Sequence, residues 1–228
     1  IVCVRADATL KEGWFYEGGG IYRHVWLTKT EPLHIAQDGI FVSTEIRSDD
    51  YSKAYITMSA DVTNHSHSSQ SYSIAYVITD AEGRTVAEHH CGTKHTAEQK
   101  TSCSASACQQ IAPMQTIEQS FRHTVEIANP MLWSPEQPYL YTLTACIKKD
   151  GKVIDAESVK FGVREVVFDK DRGLILNGKS IKLKGVNMHQ DHAGVGAAIP
   201  DALLEYRIRQ LKKMGCNAYR ASHNPTTK

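Results

Sequence analysis

Between residues 21 and 168 apolar and polar side chains alternate with a period of two, and beyond that stretch the period changes. Period two sends successive side chains to opposite faces of an extended chain, so the region is committed to strands with one buried face. The runs are IYRHVWLT (21–28), GIFVSTEI (39–46), KAYITMSADVTN (53–64), YSIAYVITD (72–80), FRHTVEI (121–127), YLYTLTACIKKD (139–150) and VIDAESVKF (153–161). Asp150-Gly151 separates the last two, and such a pair suits a type I′ hairpin, which needs positive φ at both central positions. Seven or so short strands at this spacing predict an all-β sandwich. Residues 89–110, HHCGTKHTAEQKTSCSASACQQ, are polar and aperiodic and read as a long loop or irregular edge.

After GVREVVFDKDRG the logic becomes that of an α/β fold. LILNGKSIKLKG holds a second hairpin around Asn177-Gly178, and Ile181 to Val186 is a candidate buried strand. A helix is expected next. Pro200 suits its first turn, Asp201 complements the positive end of its dipole, Leu204, Ile208 and Leu211 form an apolar stripe, and Gly215 provides the stop. Asn217 to Ala221 returns to strand. Strand, helix, strand is a βαβ unit, which requires two parallel strands joined by a right-handed crossover.

Composition narrows the function classes. Lys+Arg total 26 against 25 Asp+Glu, a net charge of +1, which removes the electrostatic case for nucleic acid. No run of about 18 apolar residues appears, so no membrane span is expected. IVCVRADATL lacks the basic start and cleavage site of a signal peptide, and the chain opens in mid-pattern as though cut from something longer. Six cysteines without paired CxxC spacing argue against a disulfide scaffold or a zinc site, although Cys91, Cys103 and Cys108 lie close enough for one bridge.

Parallel neighbours end on one side of their sheet, where α/β folds place their chemistry. The first strand runs into Asn187, His189, Asp191 and His192, and the second into Arg220, Ser222, His223 and Asn224. Two chemistries suit such a rim. His189, Asp191, His192 and His223 could ligate a metal that activates water. Alternatively, imidazoles and an arginine could bond the hydroxyls of a sugar and orient a carboxylate.

FGVREVVFDKDRGLILNGKSIKLKGVNMHQD (161–191) followed by NAYRASHNP (217–225) resembles the junction between the immunoglobulin-like domain and the barrel of family 2 glycoside hydrolases, the β-galactosidase and β-glucuronidase group. Upstream, WFYEGGGIYRHVWLT (14–28) resembles the end of that family's jelly-roll sugar-binding domain. The resemblance implies a mostly β fold: an immunoglobulin-like β-sandwich followed by the opening βαβ unit of a (β/α)8 barrel. Residues 1–36 would be the last jelly-roll strands, 37–163 the sandwich, and 164–228 the start of the barrel. It implies that His189 and His223 contact the sugar, with Asn187 and Asp191 counted as substrate-binding beside them, and that Arg220 orients the nucleophilic carboxylate. Asn224 stands where many members carry Tyr, which leaves the local loop contacts open.

The family's two catalytic carboxylates are glutamates on later barrel strands, the acid/base following an Asn, and no Asn-Glu pair occurs in these 228 residues. These residues alone are therefore expected to be inactive, as part of a retaining β-glycosidase whose partner is a β-linked sugar, with terminal β-galactosides the expected substrate. A β-glucuronidase or β-mannosidase parent stays open, as does a non-catalytic carbohydrate-binding or spacer module with Trp14, Tyr16 and Trp133 as its aromatics. No cofactor is required, while magnesium or sodium near the site of the full-length parent is left open. A partly built barrel leaves Ile181, Leu183, Val186 and Tyr219, with the helix stripe, partly uncovered, so these residues are expected either to self-associate, as in a homo-oligomer, or to lean on the sandwich. The sequence leaves the location open, a periplasmic or secreted bacterial enzyme being one expectation that no sequence signal supports.

Overall fold

The computed structural model describes residues 1–7, 21, 23–90 and 109–222. The chain divides into two compact units, one of residues 29–181 and one of residues 1–28 with 182–228.

The larger unit is a sandwich of antiparallel sheets. One sheet orders β1 (Leu33–Ile46), β2 (Lys53–Asn64) and β6 (Gln115–Ala128) as β1-β2-β6. The other orders β4 (Thr85–His90), β3 (Gln70–Thr79), β7 (Tyr141–Lys149) and β8 (Lys152–Phe161) as β4-β3-β7-β8, with the short β5 (Gln109–Ile111) also pairing β3. The alternation read from the sequence is what fills the core. Ala54, Ile56, Met58, Ala60 and Val62 of β2 are buried, as are Tyr72, Ile74, Tyr76 and Ile78 of β3 and Tyr141, Leu143, Ala145 and Ile147 of β7. Burial pushes the thiol of Cys146, on the other face of β7, above its usual range. The β7–β8 hairpin turns on Asp150 (φ 50°) and Gly151 (φ 76°), the type I′ signature expected of that pair.

One device of the sandwich breaks the period. Gln119 and Phe121 both have positive φ (48° and 50°), and the β2–β6 register shifts around Ala60↔Ser120. This bulge turns Ser120 inward, where its side chain is buried. Its hydroxyl lies 2.7 Å from the Tyr72 hydroxyl and donates to Gln109 Oε1 at 2.7 Å, while its carbonyl accepts from the Tyr76 hydroxyl at 3.1 Å. A single bulge residue thereby ties β6 in one sheet to β3 and β5 in the other. Buried Asn64 plays a similar part at the end of β2, donating to the carbonyls of Ser68, Ile111 and Ala112 and accepting from Ser66.

The same unit includes a small meander of β9 (Val166–Asp169), β10 (Gly173–Leu176) and β11 (Lys179–Ser180). Its second turn is type I′ at Asn177 (φ 48°) and Gly178 (φ 74°). Asn177 also locks the meander to the sandwich, since its Oδ1 accepts from the Glu165 amide at 2.9 Å and its Nδ2 donates to the Trp133 carbonyl at 3.0 Å. The Arg164 guanidinium lies 4.8 Å above the Trp133 ring. Tyr51 donates to Glu165 Oε2 at 2.8 Å, and this bond to a carboxylate holds the Tyr51 phenol above its usual pKa. Trp133 therefore anchors a loop beside the sandwich.

Three expectations need correction or fall out of reach. Residues 21 and 23–28 form no strand, because the period-two run finds no partner strand among the described residues. The strand placed at Ile181 to Val186 is instead β12 (Gly185–Met188). Residues 182–184 are exposed, and Ile181 still belongs to the meander through its amide on the Leu174 carbonyl at 2.9 Å. Of the segment read as a long loop, His89 and His90 end β4, Gln109 and Gln110 open β5, and the rest, with Cys91, Cys103 and Cys108, lies outside the described residues.

Candidate functional site

The smaller unit is built on a β-strand, helix, β-strand path: β12, α1 (Asp201–Lys213) and β13 (Ala218–Ala221). The two strands are parallel, as a crossover connection requires. Pro200 is the N-cap residue of α1 and Asp201 its first acidic residue. The helix ends as Gly215 predicts. With Gly215 at φ 87°, its amide bonds the Lys212 carbonyl and the Cys216 amide reaches back to Leu211, the paired bonds of a Schellman motif.

β12 and β13 pair with Gly185 opposite Ala218, Val186 opposite Tyr219, Asn187 opposite Arg220 and Met188 opposite Ala221. Since side chains alternate across each strand, Asn187 and Arg220 share one face of the pair, which the flanking pairs Val186 with Tyr219 and Met188 with Ala221 turn away from. The Ser222 amide bonds the Met188 carbonyl at 3.1 Å, so the strands leave the sheet together. Asn187, His189 and Asp191 therefore follow one another off the end of β12, beside Arg220 at the end of β13. His189 is half-buried, and Asn187, Asp191 and Arg220 are exposed. His223, with Asn224, lies outside the described residues.

Gly185 makes the strand pair possible. A Cβ on it would lie 2.7 Å from the Ala218 carbonyl oxygen and 2.9 Å from the Ala218 Cβ. Gly185→Ala is expected to force β12 from β13 at a cost of about 1–3 kcal/mol. Hydrogen exchange checks it: amides of 185–188 and 218–221 should lose protection while those of β2 and β7 keep theirs, and unchanged protection would refute the close-approach account.

Other residues frame the rim in ways the sequence did not announce. Asn217 substitutes for a strand partner just before β13, its Oδ1 accepting from the Lys184 amide at 2.8 Å and its Nδ2 donating to the Lys182 carbonyl at 3.0 Å. His192, a candidate ligand by its type, stands at the start of a tight turn. Its amide donates to the Gly196 carbonyl at 3.0 Å, its carbonyl accepts from the Gly196 amide at 2.9 Å, and its Nδ1 lies 2.9 Å from the Ala193 carbonyl. From the N-terminal segment, Arg23 donates to the Ile199 carbonyl at 3.3 Å, and His24 Nε2 sits 3.0 Å from Asp201 Oδ2. The start of α1 is thus held by residues far away in sequence. From within α1, Arg207 donates to the Asp191 carbonyl at 2.8 Å and towards that of His189 at 3.5 Å. A signal for Arg207 existed only in hindsight, as a charged residue beside the apolar stripe.

Among the described residues no three or more His, Cys, Asp or Glu side chains gather as a metal centre would need, and no helix is long and apolar enough to cross a membrane. The helix stripe is not buried, and Leu183 is 57% and Tyr219 40% exposed.

Comparison with known proteins extends this picture. Residues 33–164 match the Glycosyl hydrolases family 2 profile, and residues 167–228 match the profile for the TIM barrel domain of that family. The chain is 33% identical over 226 residues to the beta-galactosidase BoGH2A of Bacteroides ovatus, covering 99% of this chain and 24% of that protein. It is 30% identical over 213 residues to a beta-glucuronidase of Bacteroides fragilis, covering 91% of this chain and 28% of the relative. It also superposes on Bacteroides uniformis beta-glucuronidase 2, solved covalently bound to cyclophellitol-6-carboxylate aziridine, with a TM-score of 0.76, 27% identity, and 95% of this chain and 24% of that one covered. The chain thus spans about a quarter of the length of these relatives.

Proposed function

The chain belongs to glycosyl hydrolases family 2, and from that premise we propose that it forms the sandwich and first barrel strands of a retaining β-glycosidase acting on terminal β-galactosides. The observation that carries the reading is the parallel register, which sets Asn187 beside Arg220 on one face and ends both strands at one rim. Residues ahead of Leu33 are assigned to the end of a jelly roll, because residues 33–36 already belong to the sandwich strand β1, with the sandwich running to 163 and residues 164–228 assigned to the barrel.

In a double displacement one carboxylate attacks the anomeric carbon while a carboxylic acid protonates the departing oxygen, and water then reverses the exchange. No Asn-Glu pair occurs in the sequence, so both carboxyl groups are assigned to parts of the protein beyond these residues. The contribution of residues 1–228 is orientation. Arg220 carries a planar fork of donors suited to a carboxylate, and holding the nucleophile at a fixed angle removes entropy from the reaction step. His189 and His223, with Asn187 and Asp191, bond sugar hydroxyls. Such bonds accelerate the reaction only as far as they strengthen when the ring flattens towards an oxocarbenium ion. The route uses side chains and water and requires no cofactor.

The choice of galactose is supported by the 33% identity to a beta-galactosidase over an alignment covering 99% of the chain, against 30% over 91% for the beta-glucuronidase. The test is a panel of nitrophenyl β-galactoside, β-glucuronide and β-mannoside with the protein that carries this chain, the product anomer being followed by NMR. Galactoside is expected to give the highest kcat/KM, with β-galactose released first. A glucuronide or mannoside preference of about tenfold, a difference of only about 1.4 kcal/mol in barrier, would overturn the choice of sugar. Release of the α-anomer first would overturn the retaining mechanism.

A further inference from the structure

We infer that Arg207 is a positioning residue for this rim, one that acts by fixing the backbone on which His189 and Asp191 stand. It rests on the reading of those two residues as sugar-binding. Arg207 lies on α1 and is half-buried, and its two terminal nitrogens are shared between two carbonyls of one loop, Nη1 to Asp191 at 2.8 Å and Nη2 to His189 at 3.5 Å. The other arginine of the helix behaves differently, since Arg209 is paired with Glu205 one turn away. Among the described residues Arg207 has no carboxylate partner, so its charge is directed to the loop alone.

The loop needs such a hold. Its start is tied to β13 by the Ser222 amide on the Met188 carbonyl, and its far side is closed by the reciprocal bonds of His192 and Gly196. Residues 189–191 span the interval between these two ties. A guanidinium bonded to the Asp191 carbonyl at 2.8 Å and aimed at the His189 carbonyl at 3.5 Å restricts the backbone between them, and a planar fork can address both where a single ammonium cannot. Misplacement of a contacting group by about 1 Å can cost about a hundredfold in rate, so the backbone beneath a sugar-binding imidazole is a place where such rigidity is rewarded.

The experiment uses the protein that carries this chain, as Arg207→Met, which keeps the apolar stem, Arg207→Lys, which keeps the charge, and His189→Asn as a reference. Kinetics on nitrophenyl β-galactoside are combined with hydrogen exchange of the 187–192 segment and with thermal melting. The Met variant is expected to lose about tenfold or more in kcat with a smaller change in KM, to exchange faster at 187–192, and to melt within a few degrees of the wild type. The Lys variant should recover part of both the rate and the protection. Wild-type rate and protection in the Met variant, beside an impaired His189→Asn, would overturn the role of Arg207 alone. A silent His189→Asn, or a wild type inactive on every β-glycoside, would overturn the underlying reading and this inference with it. A Met variant that loses activity only in proportion to a collapsed melting temperature would reduce Arg207 to a stabilising residue and overturn its positioning role.

Discussion

Residues 1–228 purified alone are expected to leave nitrophenyl β-galactoside at its buffer hydrolysis rate, whereas the protein containing them turns it over. Retaining hydrolysis needs two carboxyl groups about 5–5.5 Å apart on either side of the scissile bond. The described carboxylates of this unit do not supply them. Asp7 is paired with Arg5 at 3.7 Å, Asp201 is engaged by His24 at 3.0 Å and by Arg23 at 3.8 Å, and Glu205 is paired with Arg209 on the helix. Asp191 keeps an exposed side chain at the end of β12, one carboxylate where the mechanism needs two. Enzymes of this kind exceed the uncatalysed rate by at least about 10⁶-fold, so the expected loss is of that order. Steady turnover by the pure 228-residue protein would refute the assignment of both carboxyl groups to other parts of the protein. Saturable galactose binding without turnover would favour a carbohydrate-binding module for these residues.

Tyr76→Ala is expected to cost the sandwich about 3–5 kcal/mol, a large share of the roughly 5–15 kcal/mol that typically separates folded from unfolded domains. Tyr76 is fully buried on β3, and its hydroxyl donates to the Ser120 carbonyl across the core on β6. Truncation opens a cavity where the two sheets meet and also leaves part of the bulge without its donor. Tyr76→Phe separates the two effects, because the ring stays and only the hydrogen bond goes, at about 1 kcal/mol. Urea unfolding followed by circular dichroism measures both. An alanine variant with a midpoint like that of the wild type would show that the tyrosine does not staple the sheets.

Bond for bond, the features legible in the sequence were those with local causes. Asp150-Gly151 and Asn177-Gly178 turn as expected because only residues that tolerate positive φ can close a two-residue hairpin. Gly215 stops α1 for the same steric reason, and the parallel direction of β12 and β13 follows from placing a helix between two strands of one sheet. Where an element depends on a partner, the reading drifted. The IYRHVWLT run alternates well and is no strand among the described residues. The first strand of the βαβ unit begins at Gly185 rather than Ile181, because Asn217 takes up the backbone groups of residues 182 and 184 with its side chain. The bulge at Ser120 left no mark that alternation could reveal, since a Ser in a strand reads as an outward-facing residue until two tyrosines are found above it.

For the site, residue types and their strand-end placement were readable from the sequence: Asn187, His189 and Asp191 after one strand and Arg220 on the next. That Asn187 stands opposite Arg220, that the His192 backbone closes a turn with Gly196, and that Arg207 reaches back from the helix to the 189–191 backbone were decided by the tertiary structure. The division has one physical origin. Periodicity, turn chemistry and helix stops act over a few residues and are written in the order of side chains. Register, bulges and long-reach hydrogen bonds depend on distances between groups that are far apart along the chain and become neighbours only after closure, when packing selects among many pairings that local preference leaves equal in energy.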